Sequence, residues 1–84
     1  MSRRGERETE MNINNIVYPE LRAEMSKKKL TILKMANELN MDRLTLARRL
    51  TGKVTLPFDT ALEIKRAYFP NTELEMLFEK EVRR

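Results

Sequence analysis

Two apolar stripes, separated by only the three residues Asn40, Met41 and Asp42, constrain this chain more than any other feature. Ile32, Met35, Ala36 and Leu39 fall at i, i+3, i+4 and i+7, one face of a helix. Thr31, just before them, offers an N-cap oxygen. Asn40 tolerates the left-handed conformation better than most residues, so it can end a helix tightly. Met41 supplies an apolar plug in the turn, and Asp42 can cap the next helix. There Leu46 and Leu50 are i,i+4 partners facing the core, and Gly52 is placed to end the segment. Two helices joined by so short a turn, with a small residue in the first, form a helix-turn-helix pattern. The small side chain of Ala36 lets the two backbones approach where they cross.

The flanking segments carry the same period. Pro19 suits the first turn of a helix, Leu21 and Met25 share a face, and Lys27, Lys28 and Lys29 complement its C-terminus. A fourth helix is expected from Pro57 to Phe69, with Phe58, Ala61, Leu62, Ile64 and Tyr68 available for packing, and Pro70 stops it. Thr72 and Glu75 fit a capping box for a last short helix with Leu74, Leu77 and Phe78 on one face. The expected fold class is all-α, a compact arrangement of five helices over residues 12–84. Residues 1–11 lack a periodic apolar pattern and are expected to form a disordered extension. Gly5-Glu6-Arg7-Glu8 is encodable by a purine-rich run resembling a ribosome-binding site. Met11 is then either the natural start behind a translated leader or part of an ordinary flexible tail.

Composition removes several classes of function. There is no cysteine, so disulfides and thiolate metal sites are excluded, and no histidine, the commonest general base and transition-metal ligand. Nothing points to catalysis, to a metal or cofactor, or to a small-molecule substrate. No apolar run approaches the roughly 20 residues of a membrane span, and no secretory signal opens the chain, so a cytoplasmic protein is expected.

Charge is unevenly placed. The chain is +4 overall, but Lys27, Lys28, Lys29, Lys34, Arg43, Arg48, Arg49 and Lys53 stand against only Glu38 and Asp42 between residues 27 and 53, a local +6. One basic block in an otherwise slightly acidic chain points to a polyanion. On the second helix of the pair, Arg43, Leu44, Ala47 and Arg48 lie on a face apart from Leu46 and Leu50. Arginine offers a planar fork that fits guanine O6 and N7, while Leu44 and Ala47 suit thymine methyl groups. Lys53 and the Lys27–Lys29 run can neutralise phosphate.

The stretch TILKMANELNMDRLTLARRLTGK, Thr31 to Lys53, resembles the helix-turn-helix of Cro/C1-type phage repressors, the lambda-repressor-like fold. The resemblance extends through LPFDTALEIKRAYFP and ELEMLF to that family's fourth and fifth helices, and through YPELRAEMSKKKL to its first. It implies a small prophage-type transcriptional regulator that binds double-stranded DNA as a homodimer and occludes an operator. By position it places Ala36 at the helix crossing and Asn40 at the turn, where glycine is usual. It places Arg43, Leu44, Ala47 and Arg48 on base edges, and Thr31, Thr45, Thr51 and Lys53 on phosphates; Arg49 is expected to join the phosphate set, with base and phosphate roles exchangeable between it and Arg48. One departure stands out. Arg49 occupies the second apolar site of the recognition helix, with Leu50 beside it. Either the helix is rotated so that Leu50 fills the core, or Arg49 snorkels outward. Two rival functions remain: a protein-docking module such as an antitoxin or antirepressor, and an architectural or excision factor that bends DNA.

Overall fold

A computed structural model describes residues 12–80. A single 3₁₀ turn, Ile13–Asn15, precedes five α-helices: α1 (Pro19–Lys28), α2 (Ile32–Leu39), α3 (Arg43–Leu50), α4 (Phe58–Tyr68) and α5 (Leu74–Leu77). The described residues contain no strand, and the fold is all-α. None of these helices is long and apolar enough to cross a membrane. The expectations for residues 1–11 lie outside the described residues.

The first three helices end in one way. Lys29, Asn40 and Gly52 each adopt the left-handed conformation, with φ of 56°, 60° and 85°. The next amide then reaches back over the helix end: Leu30 N–H to Met25 O at 2.9 Å, Met41 N–H to Ala36 O at 2.8 Å, and Lys53 N–H to Arg48 O at 2.9 Å. These bonds satisfy carbonyls that a helix end otherwise leaves unpaired. After the first two ends the residue that follows is apolar and packs inward, buried Leu30 and partly buried Met41. After the third it is Lys53, which is exposed.

Ile16, Leu21, Met25, Ile32, Met35, Leu46, Leu50, Ile64 and Leu77 form the innermost core. Ala36 is fully buried as well. The N-terminal segment closes over the end of α3, where Val17 N–H donates to Leu50 O at 3.0 Å. A Cβ on Gly52 would meet Val17 Cγ1 at 3.1 Å. Gly52 is therefore favoured by its positive φ, and any larger residue would also press on the Val17 side chain.

Two expectations fail near the C-terminus. Phe58 was assigned to packing but is 64% exposed. It is the first residue of α4, and its side chain stays in solvent although Ala61, three residues on, is buried. The capping box at Thr72 and Glu75 is not formed. Glu73 is the N-cap of α5 and makes no side-chain cap bond. Thr72 instead belongs to the preceding turn, its N–H donating to Phe69 O at 3.1 Å.

Candidate nucleic-acid interface

Helix α3 takes its orientation from its two ends. At the start, Asp42 accepts from Thr45 N–H at 3.0 Å and from the Thr45 hydroxyl at 3.2 Å. These bonds, with Arg43 nearby, hold the Asp42 carboxyl below the usual aspartate range. At the far end sit the Gly52 cap and the Val17 bond. Between them Leu46, Ala47 and Leu50 are fully buried. Leu50, and not residue 49, fills the second apolar site.

That rotation decides the neighbouring positions. Ala47 is i,i+3 to Leu50 and is carried into the core with it, at 0% exposure. Ala47 therefore cannot touch a base edge, and its assignment to base reading is withdrawn. Arg49 is turned toward α4, where its Nη1 donates to the Thr60 hydroxyl at 3.3 Å. It is half-buried and ties α3 to α4, with other guanidinium N–H groups left over. The other two base-reading candidates on the turned-out side, Leu44 and Arg48, are i,i+4 neighbours and exposed. Arg43 is exposed at the start of the helix.

The threonines divide by where their hydroxyl protons go. A phosphate oxygen only accepts, so a threonine side chain must donate to it. Thr45 gives its proton to Asp42, and Thr51 gives its own to Ala47 O at 2.8 Å. Neither side chain can donate to phosphate while these bonds hold, which removes both from the phosphate set. Thr31 is different. Its oxygen accepts from Lys34 N–H at 3.0 Å, and its proton has no acceptor among the described residues. Thr31 and Lys53 thus remain suited to phosphate, both exposed and both at helix ends.

Both acids of the basic block are engaged internally. Asp42 caps α3, and Glu38 accepts from the Tyr68 hydroxyl. The lysine run is also partly occupied: Lys27 lies 3.5 Å from Glu24, and the Lys28 ammonium sits 5.6 Å from the centre of the Phe69 ring. The outward side of α3 instead carries an apolar Leu44, 40% exposed, with exposed Arg43 beside it in the sequence and exposed Arg48 four residues on. The Glu38–Tyr68 link was not foreseen, because thirty residues separate its ends. The Asp42–Thr45 clamp was half-visible in the N-cap assignment.

No group of three or more acidic side chains among the described residues is placed to hold a metal. No family model, curated protein or solved structure matches the chain.

Proposed function

We propose that this protein binds double-stranded DNA sequence-specifically through the outward side of α3 and acts as a transcriptional regulator by operator occupancy, in the manner of small phage repressors. The observation that carries this reading is the exposed trio of Arg43, Leu44 and Arg48 on a capped, rigidly seated helix. Two arginine forks suit guanine edges, and one apolar side chain suits a groove that displays methyl groups. Lys53 and Thr31 flank the trio as phosphate contacts that fix register without reading sequence. One such helix spans only a few base pairs, so a homodimer on a two-fold site is part of the proposal, its half-sites about 34 Å apart.

Selection of duplexes from a random pool tests the reading. An enriched inverted repeat supports it, and salt-sensitive retention without enrichment refutes it. On the enriched site, Arg43→Ala costs about 1–3 kcal/mol and relaxes one base position. A uniform loss on every duplex would instead make Arg43 a phosphate contact. Phe58 and Met76, 64% and 51% exposed, favour the protein-docking alternative. Under that reading, replacing Arg43 and Arg48 leaves function intact. Strong bending with weak sequence preference would favour the architectural role.

A further inference from the structure

We propose that the outward side of α3 senses the methyl group at C5 of a pyrimidine, with Leu44 as the sensor, so that binding responds to methylation at that carbon on thymine or on cytosine. The proposal rests on the DNA-binding reading and sharpens it. Leu44 keeps 40% of its surface exposed beside Arg43 and four residues before Arg48. Its side chain has neither donor nor acceptor, so it cannot hold a phosphate or the polar edge of a base. The apolar feature that a major groove displays is the C5-methyl.

Burial of Ala47 leaves Leu44 as the one apolar side chain on this side of α3. Leu33, Val54, Phe58 and Met76 are also exposed, but none stands between two arginines of one helix. The cationic surround makes a polyanion the occupant that complements this patch. Four residues of helix advance about 6 Å, and bases along a strand rise about 3.4 Å each, so a methyl at Leu44 and a guanine at Arg48 lie within about two base pairs. Methylation of cytosine puts the same group on the same carbon. The increment from the methyl therefore transfers, although the hydrogen-bonding edges of the two bases differ.

The enriched duplex from pool selection supplies the probe, and the full chain is titrated against it. Each thymine of a half-site is replaced in turn by uracil, which removes the methyl and nothing else. At one position, within two base pairs of the guanine whose preference is lost in Arg48→Ala, affinity falls about fourfold, the effect of burying one methyl-sized group. Leu44→Ala binds the thymine and uracil duplexes alike, whereas Leu44→Met keeps the difference. At the same position 5-methylcytosine binds about fourfold tighter than cytosine. Thermal unfolding of both variants checks that this exposed site leaves the fold unchanged. Equal affinity for every uracil duplex overturns the proposal and leaves sequence-specific binding standing. So does a Leu44→Ala variant that still discriminates, or a cytosine duplex indifferent to methylation. A pool with no enriched sequence overturns the DNA-binding reading itself, and this proposal with it.

Discussion

The segment from Thr31 to Lys53 and the segment from Pro57 to Phe78 are both helix pairs, but they are held in place by different means. In the first, a side chain caps each helix start, Thr31 for α2 and Asp42 for α3, and a left-handed residue closes each end. In the second, neither start has a side-chain cap, since Pro57 and Glu73 occupy those positions without one. There the helices are held by what they bury: Ile64 and Leu77 in the core, and Phe78 edge-on to Tyr18 with ring centroids 5.5 Å apart. The first pair adds local capping to the stripe that it buries, whereas the second relies on packing without side-chain caps. A site that must present side chains in a fixed orientation belongs on the first kind of scaffold.

The largest test of this contrast sets Leu50 against Phe58. Leu50→Ala removes a fully buried side chain and is expected to cost about 2–5 kcal/mol in chemical denaturation. Phe58→Ala removes a larger side chain that packs against little, and its effect should stay within about 0.5 kcal/mol. Equal losses would mean that Phe58 is covered in solution, by a second copy or another partner.

Next in size is Ala36, where α2 and α3 are expected to cross closely. Ala36→Leu places extra methyl groups where there is no exposed surface, and the expected cost is about 1–3 kcal/mol from overpacking. The same substitution at Ala67, exposed on α4, should leave the melting temperature almost unchanged. A tolerant Ala36 would show that the two helices are not in tight contact there.

Capping separates the two regions more finely. Thr31→Ala is expected to cost about 1 kcal/mol, because the Lys34 amide loses its acceptor. Thr72→Ala should cost nearly nothing, because Thr72 caps no helix. A comparable loss at both threonines would mean that the capping box at Thr72 and Glu75 forms after all.

These same residues show what the sequence made legible. Thr31, Asn40, Asp42 and Gly52 act through atoms at most a few residues away, so their roles could be read from spacing alone. All four do what that spacing predicts. Leu50 was recognised as a candidate for the core, but the choice between it and Arg49 is a rotation of α3, and rotation is set by contacts distant in the chain. Ala47 was misplaced for that reason: its burial follows from the rotation and not from its own type. Thr45 and Thr51 were misplaced for a different one. A hydroxyl in a helix has backbone and cap acceptors within reach, and residue type alone does not say whether its proton is already given away. Phe58 shows the limit of counting apolar residues, since it stands at i,i+3 to buried Ala61 and is nevertheless exposed at the start of its helix.

The smallest expected effect concerns a side-chain bond that joins α2 to α4. The Tyr68 hydroxyl donates to Glu38, and burial together with this bond pushes the Tyr68 pKa up from 10.0 to about 12. A phenol whose folded-state pKa is raised contributes stability that is fully present below the ordinary tyrosine pKa and is lost as pH rises through the folded value. The window is therefore between pH 10.0 and about 12. Because the bond is solvent-exposed, its contribution is expected to be only about 0.5 kcal/mol. Tyr68→Phe should lower the urea midpoint by that small amount at neutral pH, and the gap from the parent protein should close across the window. A gap that persists at the alkaline end would assign the loss to packing of the ring and not to the hydroxyl. No gap at any pH would mean that the Tyr68–Glu38 bond adds nothing measurable to what joins the capped and the packed halves.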